Sequence, residues 1–203
     1  MVVLNKDKTF CLQFNFSKQI LNKRPLIWLD GKSVTHVNSF KFLGLYIDNS
    51  LNWKHHVEVL HKKCAGYAYA VKRLIKICSC EVAKTFYYSN FESRIRYGII
   101  FWGGSSVAHR IFLLQKRIVR NIFGLDYTES CRPTFIKNNM LTLCSLYIYE
   151  LLKFVKINVT EFNTLNYFHE YNTRHGDHIA YKNHNLTKYE SNPYYLCGCC
   201  SVQ

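Results

Sequence analysis

The chain has 203 residues, of which 48% are hydrophobic and 16% aromatic, a composition that excludes an intrinsically disordered protein and supplies enough apolar surface for a packed core. Its 27 Lys and Arg residues outnumber the 13 Asp and Glu residues, so the formal net charge is +14 and a polyanionic partner is favoured, either a nucleic acid or an anionic membrane surface. No apolar run approaches the ~20 residues of a membrane span and the N-terminus has no signal-peptide pattern, so we expect an intracellular protein, cytoplasmic or nuclear, that is neither secreted nor inserted in a membrane.

The N-terminal part of the chain predicts β-structure. Apolar and polar residues alternate, or short apolar runs stand between turn formers, in four stretches: residues 10–16, 26–29, 34–37 and 40–47. Residues 30–33 separate the second stretch from the third, and the pair Asp30 and Gly31 among them is typical of a hairpin turn. Gly44, inside the fourth stretch, indicates either a bulge or the close approach of another backbone. Together the stretches predict an antiparallel sheet of about four strands.

From Trp53 onwards the apolar spacing changes to three and four residues and predicts helices. The predicted helices are about 22 residues from Trp53 with Ser50 or Asn52 as the cap, residues 79–103, residues 107–123 ending at Gly124, and residues 143–157 after a turn at Arg132 and Pro133. The last helix is expected to bury Leu146, Tyr149, Val155 and either Leu152 or Leu151. Residues 163–203, rich in Asn, His and Tyr, are expected to be irregular. The predicted fold class is α+β: a small antiparallel sheet over residues 1–48, a helical region over 49–125, and a helix with an irregular tail over 126–203.

Nine cysteines are scattered along the chain. Cys64 and Cys144 fall on apolar helical positions, where a free thiol packs as a small hydrophobe. The pair Cys78 and Cys80 and the cluster at 197–200 suggest a metal site, but neither has the ligand spacing of a structural zinc module. We favour reduced thiols over zinc.

The third predicted helix has a basic face opposite its apolar side. This face carries His109, Arg110, Lys116, Arg117 and Arg120, and no acidic residue occurs from Ser93 to Leu125. The pattern fits two interpretations, a solvated cationic surface or a surface that contacts phosphates.

Nine sequence blocks occur in the order and at roughly the spacing of non-LTR retrotransposon reverse transcriptases, and the chain resembles the jockey-like group of that family. The blocks are residues 4–9 (LNKDKT), 42–48 (FLGLYID), 51–57 (LNWKHHV), 96–103 (RYGIIFWG), 114–117 (LQKR), 131–135 (CRPTF), 141–150 (LTLCSLYIYE), 171–174 (YNTR) and 189–195 (YESNPYY). The resemblance covers nearly the whole chain.

The resemblance implies the end of a polymerase palm followed by a thumb. Lys8 matches the lysine of palm motif D, which is thought to assist near the triphosphate, and Leu43 with Gly44 matches the motif E turn that supports the primer end. The helices after Trp53 match the thumb. A basic helical layer of this kind suits the backbone of a duplex.

The sequence lacks the carboxylates of an active polymerase. Phosphoryl transfer needs carboxylates that converge on two Mg²⁺ ions, and the family supplies an adjacent Asp pair upstream of motif D. No two of the 13 acidic residues here are adjacent, and Glu92 is better explained as an internal salt-bridge partner. We therefore expect a C-terminal piece of such an enzyme with no catalytic or metal-binding residues and no cofactor, inactive as an RNA-directed DNA polymerase by itself.

Two functions remain open. In the first, the chain is a reverse-transcriptase remnant that binds an RNA–DNA hybrid or a duplex. The candidate nucleic-acid-binding residues are Lys8, Gly44, Trp53, Lys54, Arg94, Arg96, Arg110, Lys116, Arg117 and Arg120. Trp53 either stacks on a base or anchors its helix on the sheet. In the second, the chain is a stand-alone basic helical module that binds a protein partner, whose identity the sequence does not indicate.

Overall fold

The computed structural model describes residues 9–14, 25–29, 31–162, 180, 189–190, 192 and 195–196. Short strand pairs precede a mainly helical region, so the predicted α+β class is confirmed. The chain divides into two units, residues 1–59 and residues 60–203. The predicted domain limits after residues 48 and 125 stay predictions. The tail predicted to be irregular lies almost entirely outside the described residues. Lys8 also lies outside them.

The strands of the first unit pair in three two-stranded sheets within the described residues, rather than in one sheet of about four strands. The parallel pair joins β1 (Phe10–Cys11) to β4 (Thr35–His36), and the antiparallel pairs join β2 (Trp28–Leu29) to β3 (Lys32–Ser33) and β5 (Ser39–Phe42) to β6 (Leu45–Asp48). The hairpin predicted around Gly31 is present between β2 and β3, with Gly31 at φ 77°. Alternation in a sequence reveals which face a residue takes, not which strand lies beside it, and this is why the pairing differs.

The predicted continuous strand over residues 40–47 is instead a β-hairpin. Leu43 and Gly44 form its two-residue turn with φ values of 45° and 85°, and the flanking residues Phe42 and Leu45 are paired. Positive φ at both central residues is typical of a type I′ turn, whose twist matches that of the strands it joins. Gly44 thus marks neither a bulge nor a close backbone approach, but the turn itself.

The first long helix, α1 (Lys54–Leu74), begins where its capping residue predicts. The side-chain Oδ1 of Asn52 accepts a hydrogen bond from the backbone N–H of Lys54 at 2.8 Å. Asp48 Oδ1 in turn accepts bonds from the N–H and the hydroxyl of Ser50 at 2.9 and 2.7 Å. The bond from Lys54 satisfies an N–H group that a helix start leaves without an intrahelical partner, and the bonds to Asp48 hold the loop that precedes the helix. Asn52, one of the two predicted caps, is therefore confirmed.

The second predicted helix is broken near its end. It consists of α2 (Cys80–Phe86), a π-helical segment (Tyr87–Glu92) and α3 (Ser93–Arg96), which are continuous. Tyr97 then turns to an extended conformation and Gly98 adopts a left-handed one with φ 63°, after which α4 (Ile99–Trp102) restarts. Glycine takes positive φ without the steric penalty of other residues, so Gly98 separates α3 from α4.

The later helices follow their predicted limits closely. Helix α5 (His109–Phe123) ends at Gly124 with φ 66°, and α7 (Leu143–Ile157) has the predicted bounds. Between them, a short helix α6 (Arg132–Lys137) occupies the predicted turn. In α7, Leu146 and Leu151 are buried, whereas Tyr149 and Leu152 are each 48% exposed, so Tyr149 was wrongly predicted as buried.

The core of the helical unit forms around α5. Helix α5 packs on α2 and α7, and α7 also packs on α3 and α4. The largest buried side chains of this core are Tyr87, Phe91, Ile95, Ile99, Trp102, Ile111, Ile118, Leu146 and Leu151. Because the apolar side of α5 is buried in this core, the other side of the helix, which carries the cations, faces outward. Within the described residues, no helix combines the length and the apolar character required to cross a membrane.

Candidate nucleic-acid interface

Helix α5 divides its cations between two concave surfaces. Phe112, Lys116 and Arg120 recur every fourth residue, lie on one stripe of the helix and line a cavity. Arg117 lies about 100° around the helix from Lys116 and lines a groove on the other side. The single basic face that the sequence predicts is therefore two surfaces.

The first surface, which we call the cationic groove, lies between the C-terminal half of α1 and α5. It has a volume of about 270 Å³, which is small beside the ~300–1,000 Å³ of pockets that hold whole ligands. Its lining residues are Ala65, Ala68, Tyr69, Lys72, Arg73, Lys76 and Arg117. Four of these residues are cationic and none is acidic.

The cations of the cationic groove have no acidic neighbour among the residues that the structure describes. No carboxylate of the described residues lies within ion-pair distance of Lys72, Lys76 or Arg117. Arg73 is oriented by Tyr69, because its guanidinium donates a hydrogen bond to the Tyr69 hydroxyl at 3.2 Å and lies 6.0 Å from the ring centre. Clustered like charges repel one another, and a bound anion relieves that repulsion. The groove is thus suited to an anionic group.

The second surface, which we call the α5–α6 cavity, has a volume of about 810 Å³. Lys116 Nζ lies 4.4 Å from the centre of the Phe112 ring, and the Arg120 guanidinium lies 5.7 Å from the ring of Tyr127. Arg120 also donates a hydrogen bond to the backbone carbonyl of Glu129 at 3.0 Å. Arg132, at the start of α6, adds a third cation to the lining.

Two other predicted site residues, Arg94 and Arg96, lie outside both concave surfaces of the helical unit. Arg96 donates to Glu92 Oε1 at 2.8 Å and lies 3.3 Å from Glu150 Oε1, so carboxylates already balance its charge. Glu92 is therefore an internal salt-bridge partner, as the sequence predicts. Arg94 lies 5.8 Å from the ring of Tyr67.

Arg110, a residue of α5, lies close enough to His61 of α1 for its charge to act on that imidazole. Burial lowers the pKa of His61 on that helix, and the positive charge of Arg110 lowers it further. Because a lower pKa favours the uncharged imidazole, His61 adds no positive charge at neutral pH. The start of α5 therefore contributes one cation beside α1, at Arg110.

The predicted site residues of the first unit are near the start of α1. Gly44 forms the turn between β5 and β6, and the Lys54 side chain is exposed at the first turn of α1. The Trp53 ring meets the His56 ring edge to face at 6.2 Å, and the Trp53 carbonyl accepts the N–H of Val57 at 2.9 Å. These contacts favour the anchoring role of Trp53 over base stacking.

The sequence prediction did not include three cations at and just beyond the C-terminal end of α1. Lys72, Arg73 and Lys76 are visible in the sequence as a basic cluster at the end of the predicted helix. What the sequence does not reveal is that this end of α1 shares a groove with Arg117 of α5. The signal that could have found them is the combination of the α1 cluster with the acid-free stretch that contains α5.

Metal-ligand residues do not gather in the described part of the chain. No group of three or more His, Cys, Asp or Glu side chains there is placed to hold a metal ion. Burial raises the pKa of the Cys64 thiol to about 12, against the opposing effect of the Arg94 charge, so this thiol stays protonated at neutral pH. Cys144, predicted on an apolar helical position, is exposed. The expected absence of a cofactor stays a prediction.

Comparisons with known proteins identify no relative. No protein-family model matches the chain, and no curated protein and no solved structure is significantly similar to it. The resemblance to reverse transcriptases therefore rests on the sequence blocks alone.

Proposed function

We propose that the chain is a reverse-transcriptase-like segment of the non-LTR retrotransposon type that binds nucleic acid through phosphate contacts and has no polymerase activity of its own. The observation that carries the proposal is the cationic groove, where Lys72, Arg73, Lys76 and Arg117 converge and where none of the described lining residues is acidic. The formal net charge of +14 supports the same class of partner, because nucleic-acid binding releases counterions from the phosphate backbone.

The size and composition of the groove support a phosphate as the bound group. A volume of about 270 Å³ suits a small anionic group better than a whole organic ligand. Ala65 and Ala68 contribute small side chains to the lining, so a strand can approach closely while Lys and Arg side chains reach it from the sides. Contacts of this type position a duplex and carry no sequence information. The expected partner is therefore an RNA–DNA hybrid or another duplex, bound without sequence preference.

The test is a charge-removal variant of the cationic groove with a matched control. The groove variant carries Lys72→Gln, Arg73→Gln and Lys76→Gln, and the control carries Lys137→Gln, Lys153→Gln and Lys156→Gln, three exposed lysines outside both concave surfaces. Both variants lose three positive charges, so long-range attraction falls equally. We expect the groove variant to bind a short RNA–DNA hybrid at least about tenfold more weakly, because three phosphate contacts are lost. The control should stay within about twofold of the natural chain, because exposed charges beyond the contact are screened by salt. Equal weakening in the two variants would contradict the proposal.

A second candidate, a protein-binding module, is favoured by one observation. Large apolar side chains are exposed in the first unit, with Leu26 at 78%, Leu43 at 74% and Trp28 at 64%. Exposed apolar patches often mark protein contacts or promote aggregation. Binding through such a patch depends little on salt, whereas phosphate binding weakens steeply as salt rises.

A further inference from the structure

The α5–α6 cavity has an apolar floor. Cys131, Phe135 and Met140 line it and are 5%, 4% and 4% exposed, so they form its base. Ile136 also lines it but is 68% exposed and therefore belongs to the rim. A floor of this kind holds an apolar or aromatic group by excluding water from it.

The walls of the cavity are cationic. Lys116, Arg120 and Arg132 contribute three positive charges, and among the described lining residues Glu129 alone is acidic. The Glu129 carboxylate lies 3.4 Å from the backbone N–H of Asp126, within its own loop. No carboxylate of the described residues pairs with any of the three cations. The cavity thus combines an apolar base with a net positive wall.

We infer that the α5–α6 cavity binds a single nucleotide, with the base over the apolar floor and the phosphate beside Lys116, Arg120 and Arg132. The inference rests on the proposed function: several kinds of anion with an apolar part would fit this cavity, and nucleic-acid binding favours a nucleotide among them. A volume of about 810 Å³ lies within the ~300–1,000 Å³ range of small-molecule pockets. Hydroxyl groups of Thr128 and Ser130 in the lining offer hydrogen bonds to the base or sugar. Since a paired base is stacked inside a duplex, the bound nucleotide is either free or unpaired at the end of a strand.

The test uses a charge placed at the cavity rim in the full 203-residue chain. Ile136→Glu puts a carboxylate beside the expected phosphate, and Ile136→Gln is its matched control, because the two side chains have nearly the same size and differ in charge. Ile136 is 68% exposed, so neither change removes a core contact. Far-UV circular dichroism establishes that both variants are folded.

Two sets of probes distinguish the source of the nucleotide. The first compares adenosine 5′-monophosphate with inorganic phosphate by calorimetry. The second compares a blunt RNA–DNA hybrid with the same hybrid extended by unpaired 3′ nucleotides. Binding of the monophosphate assigns a free nucleotide to the cavity, whereas a gain from the unpaired extension assigns a strand end.

We expect Ile136→Glu to weaken one of these two interactions at least about tenfold, which corresponds to ~1.4 kcal/mol, while Ile136→Gln leaves it within about twofold. The inference is overturned if neither interaction occurs in the folded chain, if Ile136→Glu changes neither, or if inorganic phosphate binds as tightly as the monophosphate. The cationic-groove variant separates the two proposals. It should weaken binding of the blunt hybrid and leave unchanged the cavity interaction that occurs, whether this is monophosphate binding or the gain from the unpaired extension. Undiminished binding of the blunt hybrid would show that the groove proposal has failed, and loss of the cavity interaction in this variant would show that the cavity proposal has failed.

Discussion

Gln115 joins three parts of the helical unit through one buried side chain. Its Nε2 donates to the Tyr87 hydroxyl at 2.8 Å and to the Leu141 carbonyl at 2.9 Å, and its Oε1 accepts the N–H of Leu143 at 2.8 Å. Burial raises the pKa of the Tyr87 hydroxyl, so this group is uncharged at neutral pH. The network ties α5 to the π-helical segment and to the start of α7.

Replacement of Gln115 by leucine should destabilise the protein strongly. The change removes three hydrogen bonds and leaves the buried N–H of Leu143 without a partner, which costs about 1–3 kcal/mol for that group alone. We therefore expect Gln115→Leu to lower the free energy of unfolding by roughly 3 kcal/mol or more in urea titrations followed by circular dichroism. Tyr87→Phe is the control, because it removes one hydrogen bond and should cost about 1 kcal/mol. If the two variants were equally stable, the network would not hold these elements together.

At the scale of elements, α4 approaches α7 at a glycine. A Cβ atom on Gly103 would stand 2.6 Å from Tyr147 Cδ2 and 2.7 Å from the Ile99 carbonyl oxygen. Gly103 has φ −63°, so the backbone itself tolerates a side chain and the close neighbours alone require glycine. Gly104 is similarly close, since its Cβ would lie 2.8 Å from the Tyr147 hydroxyl oxygen.

Gly103→Ala should therefore destabilise the helical unit, because either Tyr147 or the backbone must move. We expect a loss of about 1–3 kcal/mol in the free energy of unfolding, which is typical of overpacking. The matched control is Gly66→Ala in α1, where no atom lies within 4 Å of the added Cβ. That change should raise the free energy of unfolding by roughly 0.5–1 kcal/mol, since alanine favours helix over glycine. Thermal or urea unfolding measures both, and a Gly103→Ala protein of unchanged stability would mean that α4 and α7 are not in contact.

The limits of α5 and α7 could be predicted from sequence, but the direction of some side chains could not. Apolar spacing and Gly124 define α5, and spacing alone defines α7. Leu151 and Leu152 are equally apolar neighbours that point about 100° apart, so spacing did not decide which one is buried. Likewise, apolar residues around Gly44 predicted a strand, because positive φ at Leu43 has no signal in its side chain.

The candidate site was also predictable only in part. The cations of α5 follow from its apolar spacing, since they occupy the opposite side of the helix. Their division between the cationic groove and the α5–α6 cavity depends on where α1 and α6 lie, which no local pattern encodes. The pairing of Arg96 with Glu92 was predictable from their i, i+4 spacing, but its second contact with Glu150 joins α3 to α7 and was not.

At the scale of the whole molecule, the excess of positive charge is the property that function must explain. A formal net charge of +14 on 203 residues opposes folding through self-repulsion and favours association with a polyanion. Among the described residues, few cations pair with a carboxylate, for example Lys84 and Arg96. More cations line the two concave surfaces. Nucleic-acid binding gives this charge distribution a role, and a partner bound through apolar contacts does not.

The most direct test of nucleic-acid binding is the affinity of the full chain for an RNA–DNA hybrid across a salt series, with far-UV circular dichroism recorded in the same buffers. We expect a helical spectrum and a slope of about −4 or steeper for the logarithm of the binding constant against the logarithm of salt concentration. The slope of the cationic-groove variant should be shallower by roughly 3. A helical chain that does not bind the hybrid, or whose affinity is independent of salt, would show that the protein does not bind nucleic acid through phosphate contacts.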